Sequence, residues 1–165
     1  MNTPDTVICI LEQSPSIIIP MVRQADPSIL KRRPPSGKWS IHEHACHLAE
    51  VHPIIFQRLE RMRTKKHPRI QPYDPGKDGT ETSLIQIDLE SALERFEQDR
   101  VRLIEQVRTL KPEEWNRTGD HEEYNYYSIF TMLRHLVLHD FFHTYRIEEL
   151  LLCKDWPAPS AVLFG

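Results

Sequence analysis

The sequence predicts an all-α protein folded as a four-helix bundle, and three observations carry that prediction. Apolar residues recur at steps of three, four and seven, most clearly at Ile85, Leu89, Ala92, Phe96, Leu103, Val107 and Leu110, which is the period of a helix with one buried face. Clusters rich in proline, glycine and aspartate separate four such stretches. No segment alternates apolar and polar residues over the length of a strand. With 165 residues the chain has the size of one ordinary domain, so a single domain over residues 1–165 is expected.

The first helix opens with Thr3-Pro4, a cap followed by a proline at the first helical position, and runs to about Ala25. Pro15 and Pro20 should break or kink it, because each removes a backbone donor. A loop follows from Asp26 to Lys38, carrying Pro27, Pro34, Pro35 and Gly37. Ser40 then caps a second helix that reaches about Lys66 and should bend at His52-Pro53. Residues 67 to 82, rich in Pro, Gly, Asp and Thr, have no periodicity and are expected to be a long surface loop. The third helix covers the periodic run from Ile85 to Leu110. Lys111-Pro-Glu-Glu-Trp115 starts a short extra turn, with a proline early and carboxylates near its positive end. A polar, tyrosine-rich connector leads from Asn116 to Tyr127, and Ser128 caps a fourth helix that ends near Cys153.

Composition excludes several classes of function. The net charge is −3 with both signs mixed along the chain, so no overall field favours nucleic acid or an anionic membrane. The basic stretch from Arg58 to Arg69 has no nucleic-acid module beside it and fits a solvated helix end. No continuous apolar run approaches the ~20 residues that cross a bilayer, so a soluble, cytoplasmic protein acting on a small molecule is expected. Cys9, Cys46 and Cys153 are odd in number and contain no C-x-x-C pair, which suggests neither a disulfide framework nor a thiolate zinc cage. Trp39 is expected to anchor the core where the second helix begins. Tyr124, Tyr126 and Tyr127 suit either a pocket mouth or the bundle edge.

The chemistry concentrates in histidines. His139 and His143 are four residues apart in an apolar helical run, so their side chains lie ~40° apart around the axis and ~6 Å apart along it, close enough to reach one ion. In the stripe set by Ile129, Leu133, Leu136, Ile147 and Leu150, His143 falls inside and His139 on the flank. His135 lies about a third of a turn from the centre. Asp140 also projects toward the stripe, where a carboxylate needs either an imidazole N–H or a basic partner. One further nitrogen from the second helix would complete a three-ligand set with an open position. The apolar arc of Ile41, Leu48, Val51 and Ile55 admits both His44 and His47, and periodicity does not choose between them.

Resemblance does choose. The run from Lys38-Trp39-Ser40 through Cys46-His47-Leu48-Ala49-Glu50, together with Leu136-Val-Leu-His139-Asp140-Phe-Phe-His143, resembles the DinB superfamily with its YfiT-like metal-dependent hydrolases. In that family one histidine comes from a W-S-x-x-x-x-x-x-H-L-A segment and two come from a later H-x-x-x-H pair. The resemblance implies a bundle of the DinB/YfiT-like type and the metal ligands His47, His139 and His143. It leaves His42, His44, His52, His67 and His121 as solvated or locally hydrogen-bonded groups. Many relatives carry Gln three residues after the last histidine, and Arg146 stands there in this chain, a candidate contact for substrate or thiol.

Three neutral imidazoles suit Zn(II), ahead of Ni(II) or Fe(II), and do not offer the oxygen-rich shell that Ca(II) and Mg(II) prefer. The resemblance implies a metal-dependent hydrolase or a thiol transferase, in which the ion activates water or a low-molecular-weight thiol, and a homodimer as in relatives. Glu50, one turn beyond His47, is the candidate base. The alternatives of another class are a nonenzymatic metal-binding stress or scaffold protein and a small-molecule binding module.

Overall fold

The computed structural model describes residues 2–72, 83–154 and 156. Most of the predicted loop at 67–82 therefore lies outside the described residues. Helix α1 (Pro4–Arg23) starts at Thr3, whose hydroxyl accepts the Thr6 N–H, and continues through both internal prolines. The predicted break at Pro15 is absent for a specific reason. Pro15 cannot donate to the Leu11 carbonyl, but that oxygen accepts from Arg100 Nη1 at 3.0 Å instead, so the vacated hydrogen bond is replaced from a neighbouring helix. Pro20 frees the carbonyl of Ser16, which is exposed. By length and composition α1 would suffice to cross a membrane, yet Val7, Leu11, Ile18 and Val22 are buried in the bundle core.

The predicted loop after α1 contains one short helix, α2 (Pro27–Leu30), capped by Asp26 through the Ser28 N–H. The second predicted helix is two, α3 (Ile41–Glu50) and α4 (His52–Thr64), meeting at Val51 with Pro53 in the first turn of α4. The bend thus falls where the proline predicts it. Helix α3 begins with a reciprocal capping box between Ser40 and Glu43. Glu43 is fully buried and ion-paired to Arg33. Ile85 belongs to a separate 3₁₀ turn, Leu84–Gln86, after which Asp88 caps α5 (Leu89–Arg108). The expected extra turn appears at Glu114–Asn116 and buries Trp115. Ser128 caps α6 (Ile129–Leu151) by accepting the Thr131 N–H.

Two strands of two residues each, β1 (Arg69–Ile70) and β2 (Asp120–His121), pair in parallel. They are too short for any alternating pattern to announce them. Gly119 precedes β2 because a Cβ there would lie 2.6 Å from Ile70 Cγ1 and 2.9 Å from the Pro68 carbonyl.

Around the bundle, α1 packs on α5 and α6, and α3 packs on the same two helices from the opposite side. Consecutive long helices α1 and α3 are therefore diagonal, and the stretch between Arg23 and Ile41 makes the crossing. The apolar core falls into two clusters. One gathers Val7, Leu11, Leu59, Leu103, Leu133 and Val137, and the other gathers Ile18, Val22, Leu48, Phe96, Ile147 and Leu150.

Between them runs a polar layer made of Ser14, His52, Arg100 and Asp140, all buried. Arg100 Nη1 lies 2.7 Å from Asp140 Oδ2 and 2.7 Å from Ser14 Oγ, and Arg100 Nε donates to His52 Nε2 at 3.2 Å. His52 Nδ1 sits 3.1 Å from the Leu48 carbonyl, which can only accept. The ring is therefore neutral, with its proton on Nδ1. Burial, reinforced by the Arg100 charge, pushes the His52 pKa down to about 3. Burial alone would raise the Asp140 carboxyl, but the Arg100 guanidinium and hydrogen bonding outweigh it and hold the group at about 2. His52 was expected to be solvated or locally bonded. It is bonded to the Leu48 carbonyl at the end of α3 and to Arg100 on α5, and it is wholly buried.

Removing one partner of this layer leaves the other charge stranded, so Asp140→Asn should lower the unfolding free energy by about 3–5 kcal/mol, measured by urea denaturation at neutral pH. An acid titration follows from His52. Its folded pKa lies below the ordinary 6.5, so the unfolded chain binds the proton first, and stability falls as pH drops from 6.5 toward 3. His52→Gln should reduce that slope by up to about 1.4 kcal/mol per pH unit, read from denaturation midpoints at successive pH values.

Candidate metal centre

The polar layer fixes the face of α6 that points toward α3, and three imidazoles meet there. His47 on α3 and His143 on α6 are each 4% exposed. His139, one turn before His143, has a side chain 28% exposed. Their Nε2 atoms converge. His139 Nε2 lies 3.0 Å from His47 Nε2 and 3.1 Å from His143 Nε2, and one ring nitrogen from each of the three falls within 4.8 Å of the others.

Hydrogen bonds alone do not satisfy this arrangement. An imidazole nitrogen carries either one proton or one in-plane lone pair, so His139 Nε2 can make one good hydrogen bond and not the two that its neighbours' distances invite. A cation at the common point accepts all three lone pairs. Tetrahedral zinc with bonds of 2.0–2.1 Å would separate its nitrogen ligands by about 3.3 Å, close to the spacing found.

The surroundings keep His47 and His143 neutral and orient the rings. Burial pushes the His47 pKa down to about 3, and burial together with the other histidines pushes His143 lower still. His143 Nδ1 lies 2.8 Å from His44 Nδ1. With the His143 proton on Nδ1 and His44 accepting, Nε2 of His143 keeps its lone pair for the centre. His44 itself is buried, and burial holds its pKa at about 4. Asp140 Oδ1 stands 4.0 Å from His139 Nδ1, longer than a hydrogen bond but placed to attract a proton on that nitrogen. Of the two partners predicted for Asp140, the basic one is present as Arg100, and the imidazole of His139 is near without a hydrogen bond.

A cavity of about 660 Å³ opens beside the cluster, with Trp39 and Phe142 as apolar walls and Lys38 and Arg146 as cations. The Trp39 ring lies 4.8 Å from that of His47 and stacks on His143 at 5.9 Å. Trp39 touches the core, as predicted, and also lines the site. Arg146 lines the cavity while ion-paired to Glu149.

Several sequence expectations are corrected. Glu50, the candidate base, points to α5, where Arg95 Nη2 holds its carboxylate at 2.5 Å. It does not line the cavity, and no carboxylate does among the described residues. His42 and His44, expected to be solvated or locally hydrogen-bonded, are buried and hydrogen-bonded to residues distant in sequence. His42 Nε2 bonds the Leu84 carbonyl at 3.2 Å, and His44 supports His143. His44 and His47 face the same way, as periodicity indicated, and only the geometry separates their roles. His135 lies outside the cluster. Cys46 is buried, and burial raises its thiol to about 12, so it supplies no thiolate.

Comparison with known proteins agrees with this architecture. Residues 10–147 match the family model for the DinB superfamily. A relative from Oceanobacillus iheyensis, named "putative metal-dependent hydrolase", is 31% identical over 121 residues, covering 73% of this chain and 70% of that one. Among solved structures, YfiT from Bacillus subtilis superposes with a TM-score of 0.82 over 91% of this chain and 86% of its own, at 24% identity. YfiT is described as "a probable metal-dependent hydrolase with an unusual four-helix bundle topology".

Proposed function

The chain belongs to the DinB superfamily, and from that premise we propose that it is a metal-dependent enzyme acting on a small molecule, with His47, His139 and His143 holding a divalent ion. One observation carries this reading: three imidazole Nε2 atoms crowd a single point that hydrogen bonding cannot satisfy. Zinc suits the donor set, with nickel or iron as alternatives. Bound there, the ion supplies Lewis acidity that makes water, or a thiol, a nucleophile near neutral pH.

The chain's own residues do the rest. His44 holds the tautomer of His143, and Asp140, anchored by Arg100, holds the position of the His139 helix turn. Trp39 and Phe142 give the cavity beside the centre an apolar wall against which the non-polar part of a substrate can pack. Lys38 and Arg146 offer charge to an anionic group of the substrate. Hydrolysis is the reading that the relatives' names support. Thiol transfer is the second reading, favoured by a cavity of about 660 Å³ with two cations, large enough to seat a charged thiol beside the ion. With Glu50 tied to Arg95, neither reading assigns it the role of base.

Elemental analysis of tag-free protein should find about one divalent ion per chain. His139→Ala should lose it, and His44→Phe should weaken affinity by about 10–100-fold. The metal-loaded protein should then turn over members of an ester and amide panel, or should require an added thiol. Full folding without metal uptake would sink the reading.

A further inference from the structure

A second cavity of about 630 Å³ lies against the bundle where β2 leads into α6, and His139 is the residue it shares with the first. His139 thus stands as a partition between two chambers, exposed enough to touch a ligand in either. The second chamber is built from aromatic rings. The His121 ring lies 4.6 Å from both Tyr124 and Tyr127, and the two tyrosines are nearly parallel at 6.0 Å. His135 meets them edge-on at 5.3 and 5.9 Å. Such an arrangement favours a planar π system, which can stack on one ring and meet the edge of another.

The same chamber holds a cation, Arg58, with no ion pair among the described residues. Arg58 donates to Tyr127 Oη at 3.3 Å and to the Gln71 carbonyl at 2.6 Å, both uncharged. Two carboxylates also line the chamber: Glu122 is held by Arg69, and Glu123 is exposed to solvent. His121 adds a donor. Its Nδ1 accepts the Glu123 N–H at 3.1 Å, which leaves its proton on Nε2 in the neutral ring.

We propose that this chamber is the substrate subsite of the histidine centre and takes a planar aromatic anion, its ring among Tyr124, Tyr127, His121 and His135, its charged group on Arg58, and its far edge at His139. The proposal rests on the metal reading only for the link to the centre. The recognition of an aryl anion stands on the rings and Arg58 alone.

The probe is 2-naphthoate, titrated by NMR into the full-length, metal-free protein, with 2-naphthalenemethanol as the uncharged comparator. The acid should bind more tightly than the alcohol. Arg58→Gln should weaken the acid about tenfold, the scale of one hydrogen bond to a charged group, and leave the alcohol unchanged. Tyr124→Ala removes an exposed ring without touching the core, and it should weaken both. In cobalt-loaded protein the bound naphthoate protons should broaden through proximity to the ion. Equal affinity for acid and alcohol, or indifference to both substitutions in folded protein, overturns the recognition. Tight binding with no broadening overturns the link to the centre. Failure to take up cobalt counts against the metal reading instead, and binding to the metal-free protein then still decides the chamber.

Discussion

The buried pair between Arg100 and Asp140 is the constraint on which the rest of the structure depends. Both residues are 1% exposed, and taking two such charges out of water costs several kcal/mol per ion unless hydrogen bonds replace the lost solvent. Ser14, His52 and the Leu11 carbonyl provide them. The pair therefore joins three long helices and α4 at one level of the bundle. A shift of α6 by one turn, or a rotation of one residue, would strand Asp140 in an apolar cluster. This penalty sets both the height and the rotation of α6. His139 and His143, on either side of Asp140 in sequence, are fixed by the same restraint.

That coupling connects stability to function. The two apolar clusters would tolerate small slides of one helix on another, because the hydrophobic effect is not directional. A charged layer between them does not, since its hydrogen bonds require particular atoms. Three imidazole nitrogens must converge to within a few tenths of an ångström to share an ion. The polar layer supplies positional definition that apolar packing lacks.

Much of this was legible in the sequence, and the failures are instructive. Helical periodicity and the serine caps at Ser40 and Ser128 located α3, α5 and α6 because a bundle repeats one kind of packing along its length. The H-x-x-x-H step brought His139 and His143 together from helix geometry alone. The third needed family resemblance, because His44 and His47 lie on one arc and differ only in what faces them across the interface. Arg100 was overlooked, although a signal existed. It sits four residues after Phe96 and three before Leu103 on the buried stripe of α5, a charged residue that had to answer Asp140 on α6. That α1 runs on through Pro15 without a break was not legible, because the bond that compensates Pro15 comes from Arg100, distant in sequence. Glu50 was misassigned for a similar reason: spacing gives its height above His47 but not the helix it faces.

The proposed centre, and the link of each chamber to it, share one premise, that Nε2 of His47, His139 and His143 bind a single ion. X-ray absorption at the zinc edge of the reconstituted protein tests it most directly. The account predicts a shell containing three imidazole nitrogens at about 2.0 Å, with the multiple-scattering pattern of histidine and at least one lighter oxygen or nitrogen donor filling the open position. A shell dominated by sulfur, or by oxygen with fewer than three imidazoles, would contradict it.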